Sequence, residues 1–226
     1  MIKLLIFDWD DVFTLDSKKG YFACYHETLV ELGVVLTPEE EEKRIRAKWG
    51  QPHREELKEL LKEKPELLDQ AVALYEEKFY GDVFVSALGY VDGANDLLER
   101  LKDRYTLALA TGAHPTVLKE RVMPRFETPQ VFTEIMSAYE LTNPSTEAKP
   151  APFMVNEILK KTDITPEETV VVGDAENDMK MGLAADTHVV AVLTGHMNET
   201  EATELGVPHI IPDVIHLEPV LEMLNS

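Results

Sequence analysis

The chain reads as an α/β protein: a parallel-sheet core interrupted, just after its first strand, by an all-helical insert. Three observations carry this reading. Residues 2–7 are a mostly apolar run ending abruptly in Asp8, Asp10 and Asp11, too short for a helix and typical of a fully buried strand. Residues 17–80 show only three- and four-residue apolar spacing, with no alternating pattern. Beyond Gly81, strand-like and helix-like stretches alternate, as in βαβ units whose sheet is covered on both faces.

In chain order, Phe22, Tyr25, Leu29 and Leu32 space out a first helix that ends near Gly33. Thr37-Pro38-Glu39-Glu40 predicts the next helix start, with Thr37 as N-cap, proline at the first position and Glu40 closing a capping box. The acidic run Glu39 to Glu42 reads as that helix's solvated face. Leu57, Leu60 and Leu61 mark a third helix, and Leu67, Ala71, Leu74 and Tyr75 a fourth that begins near Pro65. After the insert, Leu97, Leu98 and Leu101 give a helix, and residues 105–110 a strand. Residues 131–135, 169–172, 188–192 and 210–211 read as further strands, separated by helical stretches at 115–122, 150–160 and 178–185. Residues 142–146, Thr-Asn-Pro-Ser-Thr, read as irregular.

Composition narrows the function classes. The 226 residues carry 42 acidic against 22 basic side chains, a formal net charge of −20. Such a surface repels nucleic acid and anionic membranes, and neither is expected as a partner. No apolar run approaches the roughly 18–20 residues of a membrane span, and residues 1–7 are too short for a secretory signal, so a cytoplasmic location is expected. Cys24 is the sole cysteine; it excludes an internal disulfide or cysteine-based zinc cluster and reads as a small core residue. No His-Glu-x-x-His pattern argues for zinc, and most histidines, His196 among them, read as structural or exposed.

Chemistry-bearing residues fall at or just beyond predicted strand ends, where open α/β sheets place their ligands. They are Asp8 and Asp10, then Thr111-Gly112, then Lys149-Pro150, then Gly173-Asp174 followed by Asn177-Asp178. Three acids within four residues repel one another, a cost usually met by a bound cation. Each cluster alone has a plain reading: a strand-end turn, a helix cap, a solvated lysine, an N-cap. In this order and on these elements they are specific.

The constellation resembles the haloacid dehalogenase-like superfamily, and the resemblance runs the whole length of the chain. Asp8-Trp9-Asp10-Asp11-Val12 matches D-x-D-x-[TV]; Leu107 to Thr111 matches the strand ending in Thr or Ser; Lys149-Pro150 matches K-P; Gly173-Asp174-Ala175-Glu176-Asn177-Asp178 matches G-D-x-x-x-D. The insert looks like the C1 cap of phosphoglycolate phosphatase-like and β-phosphoglucomutase-like members. The resemblance implies a Rossmann-like core at 1–15 and 86–226, with a helical cap at 16–85. It implies Asp8 as nucleophile forming an aspartyl-phosphate and Asp10 as general acid and base. Thr111 and the Gly112 amide would hold phosphoryl oxygens, and Lys149 would neutralise their charge. Mg²⁺ would be held by Asp8, Asp174 and the Asp10 carbonyl, with Asp178 behind them. On the cap, residues 44–54 form the most basic stretch, and Gly50 and Arg54 are expected to approach the leaving group.

The expected activity is therefore Mg²⁺-dependent hydrolysis of a small phosphorylated metabolite, phosphoglycolate-like or a sugar phosphate, by a monomer or homodimer. Asp10 disfavours dehalogenase and phosphonatase chemistry, because both depart from the pattern at that position. A β-phosphoglucomutase-type isomerase is the alternative, and a non-catalytic regulator on the same fold a third. Asp11 and Asp186 stand where glycine is frequent in relatives; altered loop geometry is expected at Asp11, and a left-handed backbone at Asp186. His114 is placed to face the site.

Overall fold

The computed structural model describes residues 1–48 and 53–226. The chain opens with β1 (Leu4–Phe7) and a two-residue strand β2 (Thr14–Leu15). Five helices follow: α1 (Ser17–Glu31), α2 (Pro38–Arg46), α3 (His53–Leu60), α4 (Leu68–Tyr80) and α5 (Asp82–Ala87). Next come β3 (Gly89–Tyr90), α6 (Ala94–Leu101), β4 (Thr106–Thr111), α7 (Pro115–Val117), α8 (Met123–Arg125) and β5 (Phe132–Ser137). The remainder is α9 (Pro144–Glu147), α10 (Phe153–Thr162), β6 (Thr169–Gly173), α11 (Glu176–Ala184), β7 (His188–Val192), α12 (Glu199–Glu204), β8 (His209–Ile211) and α13 (Leu217–Leu224). The chain divides into two compact units, Met1–Leu15 with Gly89–Ser226, and Asp16–Leu88. Among the described residues no helix is long and apolar enough to cross a membrane.

The first unit is built on a six-stranded sheet of order β5-β4-β1-β6-β7-β8, parallel throughout. β1 and β6 are buried along their whole length, which is why their sequences run apolar instead of alternating. Register places Phe7 opposite both Leu109 and Val172, so β1, β4 and β6 run in step and end within two residues of one another. On one face Leu4, Ile6, Ala108 and Val171 pack with Met154, Ile158 and Met179 from α10 and α11. A separate antiparallel pair, β2 with β3, closes the two ends of the unit where the insert departs.

The second unit packs α1 against α4 and α5 through aromatic side chains. Tyr25 stacks on Tyr75 at 4.5 Å, and Tyr21 meets Phe84 at 4.8 Å. Cys24 is fully buried here, and Tyr25 donates a short hydrogen bond to the buried Glu56.

Several expectations change. α5 is a fifth helix that the apolar spacing did not reveal, because six residues are too few to show a period. Residues 118–122 widen into a π turn. Pro124 follows one turn on; its ring lacks an N–H and crowds the carbonyl four residues back, which i→i+5 spacing relieves. Residues 144–147 are helical, with the Asn143 amide donating to Glu147 Oε2 at 2.9 Å. Thr37 does accept from the Glu40 amide, at 3.3 Å, but the Glu40 carboxylate turns to Arg44 at 2.8 Å. Glu41 is buried beside His26, at 3.0 Å, so the acidic run is not wholly solvated. Asp11 and Asp186 both take left-handed backbones, φ 58° and 57°.

Candidate active site

Trp9 is fully buried against Phe13 and Phe132, with ring centroids 5.3 and 6.3 Å away. Anchoring the middle residue leaves both flanking carboxylates, Asp8 and Asp10, outside the apolar packing. Asp8 lies just past β1, yet its amide still donates to the Val172 carbonyl at 2.9 Å. Sheet pairing thus fixes its backbone at the carboxyl end of the central strands.

Lys149 binds this carboxylate to a second one. Its Nζ lies 2.9 Å from Asp8 Oδ1 and 2.6 Å from Asp178 Oδ1, and all three side chains are largely buried. Burial opposes the ammonium charge, but Asp178 and Asp8 overcome it and hold Lys149 above the usual lysine range. Asp178 also reaches back to accept from the Ala175 amide, 3.1 Å, at the start of α11, where the helix dipole favours an acid. Gly173 is required by this approach: a Cβ there would sit 2.3 Å from the Asp178 Cβ.

Asp174 follows β6 and is 3% exposed. Its Oδ2 accepts from the His196 amide at 2.9 Å, and its backbone carbonyl accepts from the Met197 amide at 2.8 Å. Burial first, then repulsion from Asp8 and Asp178, pushes its pKa up to about 8. Asp178 is also raised, again chiefly by burial. Carboxylate oxygens of Asp8, Asp174 and Asp178 lie within 4.8 Å of one another. An all-oxygen set of crowded, buried carboxylates fits a hard divalent cation, whose charge would remove the cost of crowding. Asp11 and Asp174 also cluster with a ring nitrogen of His196 within the same 4.8 Å.

Asp10 accepts from the Thr14 hydroxyl at 3.4 Å and feels the charges of both Asp8 and Lys149. Burial, with the charges of Asp8 and Asp11, lifts its pKa to about 7. Thr111 ends β4, fully buried, and its Oγ1 accepts from the Ala113 amide at 3.0 Å. A Cβ on Gly112 would meet nothing within 4 Å, so its backbone is open to a ligand. The His114 ring is met edge-on by Tyr139 at 4.7 Å, and burial lowers its pKa.

The structure therefore brings Asp8, Lys149, Asp174 and Asp178 together, with Asp10, Thr111 and Gly112 at the same strand ends. Gly50 lies outside the described residues. Arg54 is exposed and paired with Asp69 at 2.5 Å, both within the helical unit. Arg44 and Arg46 are likewise engaged, with Glu63 and Glu42, so much of the basic stretch is neutralised locally.

His196 and Gly195 were not legible as site residues. A Cβ on Gly195 would lie 1.9 Å from Asp174 Oδ2, so only glycine lets this loop close on the carboxylate. The available signal was positional: Thr194-Gly195-His196 follows a strand of the same parallel sheet. Thr194 also ties this loop to the first, donating to the Asp11 carbonyl at 2.5 Å.

Comparison with known proteins agrees with this geometry. The family model for haloacid dehalogenase-like hydrolases matches residues 5–192. A phosphoglycolate phosphatase from Aliivibrio fischeri is 30% identical over 160 residues, covering 70% of this chain and 67% of the relative. A phosphorylated carbohydrates phosphatase from Thermotoga maritima is 27% identical over 205 residues, 89% of each chain. Among solved structures, a HAD-superfamily hydrolase of subfamily IA from Geobacter sulfurreducens superposes with TM-score 0.73 at 24% identity, over 99% of this chain and 96% of the other. A β-phosphoglucomutase from Clostridium difficile does so with TM-score 0.69 at 19% identity, over 100% and 98%. With its sheet, its strand-end carboxylates and these relatives, the chain belongs to the haloacid dehalogenase-like hydrolase family, among that family's phosphatases.

Proposed function

We propose that the protein hydrolyses a small phosphorylated metabolite through covalent attack by Asp8, with Mg²⁺ as cofactor. The observation that carries this reading is the Asp8–Lys149–Asp178 chain beside Asp174 at the shared ends of β1 and β6. A fixed carboxylate with a buried cation at its flank is suited to in-line attack on phosphorus. Asp8, Asp174 and the Asp10 carbonyl would hold Mg²⁺, with Asp178 orienting the group from behind. When bound, the ion would offset repulsion between carboxylate and phosphate.

The remaining roles fall to the chain's own groups. Asp10, with a pKa of about 7, is matched to giving a proton to the leaving oxygen near neutral pH. It then takes one from the water that hydrolyses the aspartyl-phosphate. The Thr111 hydroxyl and Gly112 amide would hold phosphoryl oxygens, and Lys149 would balance charge growing on them. The named activities of the Aliivibrio and Thermotoga relatives make phosphoglycolate and phosphorylated carbohydrates the first substrates to try.

Phosphate release across a panel of such esters, with Mg²⁺ and with chelator, tests the reading. Expected is turnover that chelator and Asp8→Asn each abolish; turnover surviving both overturns it. Interconversion of hexose phosphates faster than phosphate release would instead assign a phosphomutase.

A further inference from the structure

We propose that Ser137 is the positioning residue for the turn that grips the phosphoryl group, an inference that rests on the function proposed above. Ser137 ends β5 directly opposite Thr111 in the sheet register, and it is fully buried. Its hydroxyl donates to the Ala113 carbonyl at 2.7 Å and accepts from the Tyr139 amide at 3.2 Å. Its own amide donates to Glu140 Oε2 at 3.2 Å, which closes a capping box over the single turn Ala138–Glu140. The hydroxyl is thereby held by the β5 loop while it pulls on the β4 loop.

The need for such a lock lies in Gly112. Glycine has the freest backbone of any residue, and nothing surrounds this one within 4 Å of where a Cβ would stand. An amide meant to hold a phosphoryl oxygen must nevertheless point one way before the substrate arrives. The Thr111 hydroxyl fixes the Ala113 amide and Ser137 fixes the Ala113 carbonyl. Both peptide groups of Ala113 are therefore set, and Gly112 is clamped between them and the end of β4. Removing the Ser137 hydroxyl releases the turn from the neighbouring strand and leaves a buried carbonyl without its donor.

The test compares Ser137→Ala with Thr169→Val. Thr169 is equally buried, and its hydroxyl donates to the Thr165 carbonyl at 2.9 Å, but it stands at the opposite end of the sheet, where β6 begins. Binding of inorganic phosphate is measured by calorimetry in Mg²⁺, alongside KM and kcat for a turned-over ester. Expected for Ser137→Ala is a rise of about tenfold in both the phosphate Kd and KM, with a smaller change in kcat. Thr169→Val should leave all three values unchanged, and Ser137→Thr, which keeps the hydroxyl, should restore phosphate affinity. Unaltered phosphate binding in Ser137→Ala, or an equal loss in Thr169→Val, overturns the proposal. If phosphate affinity falls in Ser137→Ala but the wild type hydrolyses no ester, the functional reading fails and the positioning role stands. Hydrolysis indifferent to Ser137→Ala gives the reverse.

Discussion

Arg44 in the helical unit and Lys149 in the sheet unit are both buried cations facing two carboxylates, yet their surroundings respond in opposite directions. Arg44 donates to Glu40, to Glu63 and to the Leu60 carbonyl. Hydrogen bonds from Arg44 hold both glutamates below the usual carboxylate range. Their carboxylates also reach solvent, so the charges there are matched and hydrated. Lys149 is set between Asp8 and Asp178, but Asp174 shares the same pocket, and Asp174 and Asp178 are pushed upward. One cation with two accessible acids is a brace between helices. One cation among several buried acids is short of positive charge, and that shortage is what a metal and a phosphoryl group would use.

The contrast can be broken most directly by mutation at each centre. Asp8→Asn should lower phosphate release by at least about 10³-fold, while the protein stays folded because Lys149 retains Asp178. Arg44→Met should do the reverse, leaving kcat unchanged but lowering Tm by a few degrees, since its partners are free to rehydrate. Steady-state kinetics and thermal melts of both variants check this; a loss of activity in Arg44→Met as large as in Asp8→Asn would erase the distinction.

A second effect lies in the pH dependence of stability without metal. Asp10 at about 7 and Asp174 at about 8 sit well above the ordinary value of 3.8. The folded protein therefore keeps protons that the unfolded chain releases between those values. Stability from these groups is full below about pH 4 and is lost as pH rises through about 7 to 8. In chelator, Tm should be higher at pH 5.5 than at pH 8, by about 5 °C or more. Mg²⁺ should recover most of the difference at pH 8, because it binds only the folded site. Asp174→Asn should flatten the profile and remove the Mg²⁺ effect. No such trend attaches to the Arg44 cluster, whose carboxylates are shifted the other way.

What could be read from sequence follows the same division. Asp8 and Asp174 were legible because a carboxylate at the end of an apolar strand is rare without a purpose. β1, β4, β6 and β7 were legible because a buried parallel strand writes an apolar run, whereas β5, broken by Thr133 and Glu134, and the three-residue β8 left fainter traces. Lys149 carries no local mark: resemblance alone implied a role for it, and its place between Asp8 and Asp178 emerges only in the fold. Gly195 and His196 were missed because their role is backbone approach to Asp174, which no side-chain pattern encodes. β2, β3 and α5 were too short to show a period. Glu41 looked solvated because its partner His26 lies 15 residues away, and Arg44 read only as part of a basic stretch because Glu63 lies 19 residues away.

Asp11 offers the finest adjustment, because it adds an acid to a centre already short of positive charge. It is 5% exposed, and its charge helps raise both Asp10 and Asp174. Its φ of 58° is a conformation glycine adopts freely, so Asp11→Gly can remove the charge without forcing the loop. The backbone carbonyl that receives the Thr194 hydroxyl is kept. With one repulsive charge gone, Asp10 and Asp174 should both titrate at lower pH. The fall in stability on raising pH in chelator should then end at lower pH and be smaller in total, and the alkaline fall in kcat should move toward acid by less than about one pH unit. The fold-change in kcat at its optimum should stay within about threefold, far below that of Asp8→Asn. Titrating both variants in parallel separates a residue that tunes the charge deficit from the proposed nucleophile; an unmoved profile in Asp11→Gly would show that Asp8 and Asp178 set the deficit without it.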